Sequence, residues 1–258
     1  MTVALGCVCA LLINCDSKSR GEDQGPASAD GARSAETSGP TEASRGEDAD
    51  AGPDTDTDSE ERGRKPPGPG ALDDFTERVD GSGRLVATIA TDLGDIECVL
   101  YEERAPRTVA NFVGLATGQK AWRDPETDEL REERPFYDDV IFHRVIPDFL
   151  VQAGDRTGSG SEGAGYTIPD EIDPTLSHDR AGVLSMANKG KPDSASSQWF
   201  ITLQPAEHLD GRHAIFGQCS DLEVVEEIAA SPTDTANRPS DPPEIEQIEF
   251  ERRHDDDR

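Results

Sequence analysis

The sequence predicts a mainly β domain, a closed eight-stranded antiparallel barrel capped by two α-helices. Three observations point there. From Arg84 onward the chain breaks into short runs of alternating apolar and polar residues, with turn residues between them. Period two is the pattern of strands with one buried face. Only two stretches carry helical spacing, one opening at Pro106 and one from about Leu222 to Ala230. Those helices do not alternate with strands, which excludes a parallel βαβ sheet.

Taken in order, Leu85 to Thr91 and Ile96 to Leu100 form a hairpin around Leu93-Gly94-Asp95. The first helix follows. Pro106 suits its opening turn, Val109, Phe112, Val113 and Ala116 share a face, and Gly118 ends it. Gln119 to Pro135 is charged and aperiodic and reads as a surface insertion. Tyr137 to Ile146 and Phe149 to Ala153 are the next strands, bent apart at Pro147. On the first of these, Phe142, Arg144 and Ile146 share one face. Strands recur at Gly182 to Met186, Gln198 to Leu203 and Ala214 to Cys219. In the second helix Leu222, Val225 and Ala229 share a face, and Ile245 to Phe250 is the last strand.

The chain has 258 residues and a formal net charge of −29. Composition divides it into a leader (1–15), an acidic linker (16–80), the barrel domain (84–252) and a frayed polar tail (253–258). The linker holds almost no large apolar residue before Leu72, too few to offset its conformational entropy, so disorder is expected. With no basic patch to neutralise phosphates, the acidity argues against nucleic acid as a partner. The leader carries an apolar run from Val3 to Ile13 that ends at Asn14-Cys15-Asp16. It is too short to span a bilayer as a helix. It resembles a bacterial lipoprotein signal, with Cys15 as the lipidated residue and the linker as a tether to a membrane. That implies an exported, periplasmic protein; an unmodified leader would leave it cytoplasmic. Of the five cysteines only Cys98 and Cys219 lie in the barrel domain. They allow one disulfide and read as a pair of small buried hydrophobes.

The motifs exclude several chemistries. Gly158-Ser159-Gly160-Ser161-Glu162-Gly163 spells a dinucleotide fingerprint, but no helix pattern opens after it, so it reads as a loop. The five histidines show no metal-ligand spacing, and neither domain cysteine has a setting that would activate a nucleophile. No metal and no cofactor are expected. What remains is Arg144 and Gln152 set among apolar residues, which are costly as plain core and useful as a site.

Four blocks in order give that constellation a family. Phe142-His143-Arg144-Val145-Ile146-Pro147 leads to Gln152-Ala153-Gly154-Asp155. Leu184-Ser185-Met186-Ala187-Asn188, Ser197-Gln198-Trp199-Phe200-Ile201-Thr202 and Leu209-Asp210-Gly211-Arg212-His213 follow. Together they resemble the signature of the cyclophilin-type peptidyl-prolyl cis-trans isomerases, over about Arg84 to Arg252. The resemblance implies a monomeric enzyme that acts on proline-containing polypeptides and assists their folding. It assigns Arg144 as the catalytic arginine, and Phe149, Leu150, Phe200, Leu209 and His213 as the proline pocket. Gln152, Ala187, Asn188 and Gln198 would hold the peptide, and His208, counted with them among the substrate-binding residues, stands where many eukaryotic members carry a Trp. Asp148 and Ala153 each replace a frequent Gly, and Leu150 a frequent Met. The alternative is the same barrel used as a non-catalytic peptide-binding module, which a peptide isomerisation assay separates.

Overall fold

The computed structural model describes Phe75 and residues 79–254. In chain order the strands are β1 (Arg84–Thr91), β2 (Gly94–Leu100), β3 (Trp122–Arg123), β4 (Leu130–Arg131), β5 (Val140–Ile141) and β6 (Arg144–Ile146). They continue with β7 (Leu150–Ala153), β8 (Val183–Met186), β9 (Trp199–Thr202), β10 (Ile215–Ser220) and β11 (Glu244–Arg253). The helices are α1 (Pro106–Ala116) and α2 (Glu223–Ala229). Nine strands make one sheet in the order β5-β11-β1-β2-β10-β8-β9-β7-β6, and every pairing in it is antiparallel. This is the mainly β, two-helix class that the alternation predicts, realised as a sheet curled into a half-barrel.

The ninth strand comes from the segment Tyr137 to Ile146, which is two short strands and not one. β5 pairs with β11 at one edge of the sheet, and β6 pairs with β7 at the other. Only Phe142 and His143 separate β5 from β6, so the two edges lie within about 11 Å of each other, and the sheet must curl. The break also corrects the expected face. Phe142 is fully buried, with its ring edge-on to Trp199 at 5.9 Å, whereas Arg144 is half-buried at the surface.

Helix α1 fills the concave side. Its Phe112 meets Tyr137, Trp199, Phe216 and Phe250 at centroid distances of 5.3 to 6.1 Å. Gly118 follows the helix at φ +72°, the left-handed conformation that ends helices, as its position predicts.

Four further expectations change. The insertion from Gln119 to Pro135 is anchored: β3 and β4 form a hairpin, and Lys120 and Trp122 are buried. The end of the acidic stretch is seated too, for Phe75 is buried beside Gly114 of α1 and Val79 packs on the core; the leader and most of the linker lie outside the described residues. β11 extends to Arg253, beyond Phe250 where the last strand is expected to end, and there Arg252 pairs with Glu102 and Arg253 with Glu97. Cys98 and Cys219 stand opposite each other on β2 and β10 and form a disulfide, with an S–S distance of 2.09 Å. The sequence allowed that bond; the register makes it.

Candidate active site

Cross-strand register builds the site. Arg144 on β6 faces Gln152 on β7, Gln152 faces Phe200 on β9, and Phe200 faces Ser185 on β8. These four side chains form one row on the outer face of the sheet. One residue along, Val145, Val151, Ile201 and Leu184 form the matching inner row, each fully buried. The alternation that makes the core therefore lines up the site. The turn between β6 and β7 closes with a hydrogen bond from the Phe149 N–H to the Ile146 carbonyl. Asp148 occupies φ +59° there, a conformation that glycine adopts freely and Asp tolerates. Gly154, just past β7, sits at φ +93° where a β-carbon would collide with the Ser197 carbonyl.

A chain of hydrogen bonds fixes the polar end. Arg144 Nη1 donates to Gln152 Oε1 (3.1 Å), Gln152 Nε2 to Gln198 Oε1 (2.8 Å), and Gln198 Nε2 to the Glu162 carbonyl (2.8 Å). Each amide has one orientation that satisfies both neighbours, so the guanidinium is held in place. At the apolar end the Phe200 ring stacks on His178 (6.0 Å) and meets the edge of His213 (5.5 Å), while Phe149 stacks on His208 (5.4 Å). His213 Nδ1 is hydrogen-bonded to the Met186 carbonyl (2.9 Å).

Every side chain that the motifs assign, Gln198 excepted, lines one cleft of about 570 Å³. Gln198 lines an adjoining cleft of about 430 Å³ that shares Gln152, Ala187 and Asn188.

The profile of the family described as cyclophilin type peptidyl-prolyl cis-trans isomerase/CLD matches residues 86–250. The chain belongs to this family. It is a peptidyl-prolyl cis-trans isomerase of the cyclophilin type. It is 47% identical over 165 residues to peptidyl-prolyl cis-trans isomerase A of Mycobacterium tuberculosis, covering 63% of this chain and 90% of that one. Identity to isomerase B of Streptomyces anulatus is 45% over 174 residues, covering 66% and 98%. A Cryptosporidium parvum cyclophilin crystal structure superposes with a TM-score of 0.57 at 32% identity, covering 66% of this chain and 98% of that one. A second crystal structure of that cyclophilin, in the presence of the dipeptide Ala-Pro, gives a TM-score of 0.55 at 33% identity, over 63% and 96% of the two chains.

In and behind the cyclophilin cleft, several groups escaped the sequence reading. His178 is buried behind Phe200, with Nδ1 2.7 Å from Asp210 Oδ1 and Nε2 3.1 Å from Ser185 Oγ. Asp210 only accepts, so Nδ1 carries a proton. Burial lowers the His178 pKa, although Asp210 opposes the shift. Burial would raise the Asp210 carboxyl, but hydrogen bonds from the His178 N–H, the Ser177 hydroxyl and the His178 ring hold it below the usual range. The two residues lie 32 positions apart in the chain, a separation that leaves no local pattern to find. His143, next to Arg144, also lines the cleft and is buried beside the Gln198 side chain. Burial lowers its pKa, Asp155 pulls the other way, and the Arg238 and Arg144 charges add to the lowering.

The glycine-rich loop is a loop, as expected, and it is organised by Asp155. That buried carboxylate accepts from the Thr157 N–H and hydroxyl, the Ser159 hydroxyl and the Glu162 N–H, at 2.8 to 3.1 Å. Burial pushes its pKa up, but these bonds outweigh burial and hold it low.

Proposed function

We propose that Arg144 is the catalytic group of this isomerase. It acts on an X-Pro bond whose proline ring sits among Phe149, Leu150, Phe200, Leu209 and His213. Rotation about a peptide bond meets a barrier of about 18–20 kcal/mol, because the nitrogen lone pair is delocalised into the carbonyl. The reaction needs no nucleophile and no proton carrier. It needs a group that binds the twisted amide better than the planar one. As the bond twists, the prolyl nitrogen regains its lone pair, and a guanidinium N–H directed at that nitrogen donates to it. Arg suits this role because its donors stay charged and fixed in direction. Meanwhile the apolar pocket holds the pyrrolidine ring, and the chain on its N-terminal side turns.

One observation carries the assignment. The Arg144 guanidinium is oriented by the Gln152–Gln198–Glu162 chain, and no carboxylate pairs with it among the described residues. A preset, unneutralised donor at the mouth of an apolar pocket is what stabilising a transient lone pair requires. The roles of Gln152, Ala187 and Asn188 in holding the peptide rest on their lining both clefts, and that of Gln198 on its place in the adjoining cleft and its bond from Gln152. The test is Arg144→Ala. By NMR exchange on an X-Pro peptide, kcat/KM should fall about 10²- to 10³-fold, the scale of losing one oriented transition-state donor. Peptide binding measured by calorimetry should change only a few-fold. Catalysis at the wild-type rate refutes the role.

The second element of the proposal is location. The protein is exported and lipidated at Cys15, and the acidic stretch links its domain to a membrane. The sequence of the leader supports this, as does the Cys98–Cys219 disulfide, a bond that persists in oxidising compartments and is rare in the cytosol. Mass spectrometry of the protein from membrane fractions should find an N-terminal, acylated Cys15. An intact, unmodified Met1 in the soluble fraction overturns it.

A further inference from the structure

The arginines of this domain differ in their partners, and several outside the cleft, Arg107, Arg134, Arg156 and Arg212, form no ion pair among the described residues. Arg104, Arg131, Arg180, Arg252 and Arg253 each pair with a carboxylate at 3.2 Å or less. Arg144 and Arg238 pair with none among the described residues, and both line the 570 Å³ cleft. No Asp or Glu lines that cleft, although the chain carries 54 acidic against 25 basic residues. An acidic protein thus keeps carboxylates out of the lining of this cleft and places in it two guanidiniums that form no ion pair, although Asp234, which accepts from the Arg238 backbone N–H at 3.0 Å, tempers the Arg238 charge from outside the lining.

The two arginines stand in different parts of the cleft. Arg144 faces Gln152 in the strand row. Arg238 comes from the segment between α2 and β11 and reaches across to the glycine-rich loop. There Nη1 donates to the Gly158 carbonyl (3.3 Å) and Nη2 to the Ser159 carbonyl (2.6 Å). Two bonds to one loop fix the guanidinium plane and leave three of its five N–H donors uncommitted. Its immediate neighbours in the lining, Ser159, Gly160 and His143, are polar or lack a side chain, unlike the Phe149, Phe200 and Leu209 end. Loop carbonyls do not neutralise the charge, so an extended peptide crossing this end meets an oriented cation with spare donors.

We infer that Arg238 is a specificity-determining residue that selects X-Pro segments bearing a carboxylate side chain next to the proline, on the side nearer the glycine-rich loop. This rests on the isomerase reading of the cleft and adds to it the chemistry of a flanking residue. The recognition is a charge-assisted hydrogen bond between a peptide Asp or Glu and the free edge of the guanidinium. Arg238 is exposed, so the preference is modest and sensitive to salt.

The experiment compares full-length wild type with Arg238→Gln and Arg238→Lys. The substrates are short X-Pro peptides carrying Glu, Gln or Lys immediately before or immediately after the proline, with kcat/KM read by NMR exchange in low salt. For wild type, one of the two positions should show Glu favoured over Gln by roughly two- to fivefold, the scale of an exposed ion pair, and Lys disfavoured. The ratio should shrink towards one in 0.5 M NaCl, collapse in Arg238→Gln and survive largely in Arg238→Lys. A wild type indifferent to charge at both positions overturns the inference while leaving the isomerase reading intact. So does an Arg238→Gln variant that keeps the full preference, which would trace it to Arg144. If wild type turns over none of the peptides, the isomerase reading falls with it.

Discussion

The two halves of the sheet use alternation differently. β1, β2 and β11 are long, at 8, 7 and 10 residues, and their outer faces carry charge in water. Glu97, Glu102, Arg252 and Arg253 pair there. β7, β8 and β9 have four residues each, all buried on both faces. Their outer residues include Gln152, Ser185 and Thr202, polar groups satisfied by other protein atoms and not by solvent. The long half shows what an ordinary antiparallel strand does with its second face. The short half shows that face turned into a site, where polar groups are retained because they orient one another.

Substitutions can break the contrast at its strongest point. Ile201 belongs to the inner row behind the site, and Ile201→Ala should lower stability by about 2–5 kcal/mol in chemical denaturation. Activity below the unfolding range should suffer far less, since no inner-row atom faces the cleft. If activity fell as steeply as with Arg144→Ala, the two rows would not be separable.

Lys120 is the next probe. It is fully buried, its Nζ donating to Asn111 Oδ1 at 2.7 Å and lying 4.2 Å from the centre of the Tyr166 ring. With no carboxylate bonded to it, burial lowers its pKa to about 7. The unfolded chain holds that proton up to about pH 10.4, so between pH 7 and 10 the unfolded state binds more protons than the native one. Stability should therefore rise with pH across this window, by up to about 1.4 kcal/mol per unit. Below pH 7 both states are protonated and the penalty of the buried charge is complete. Above pH 10 the elevated pKa values of Tyr137 and Tyr166, both raised by burial, oppose the trend. Lys120→Met should flatten the slope; a slope unchanged in that variant assigns it elsewhere.

Gln152→Leu keeps the volume of the outer row and removes the bond that orients Arg144. A loss of about tenfold in kcat is expected, the worth of one hydrogen bond to a charged group, with little change in melting temperature. A variant that melts early but turns over normally would make Gln152 structural. The smallest effect belongs to the long half. Arg252→Gln breaks a two-pronged pair with Glu102 (2.8 and 3.0 Å) and should change stability by about 1 kcal/mol or less, with activity untouched.

Much of this was legible before the fold was known. Short-range rules place the hairpin, both helices and the turn at Pro147, because alternation and helical spacing are local consequences of burying one face. The four motif blocks supplied the side chains that meet in the cleft. The sequence also contained the misread parts without marking them. Trp122 and Lys120 sit in a run of charged residues, and their burial depends on packing against Phe136 and Tyr166, elements that local spacing does not connect. Phe142 and Arg144 have the spacing of one face, but the strand breaks between them.

By itself, then, the sequence determined the fold class, the order of the elements and the chemistry of the residues around Arg144. Each of these follows from local periodicity or from a contiguous motif. Only the tertiary structure decided which partners those residues take. Cross-strand register joined Cys98 to Cys219 and Gln152 to both Arg144 and Phe200; loop packing brought Asp210 to His178 and Arg238 to the glycine-rich loop. These pairings span from 8 to 121 positions, and apart from the β6–β7 hairpin their physical origin is the curl of the sheet and the packing of loops on it, which make neighbours of residues that no short window holds together.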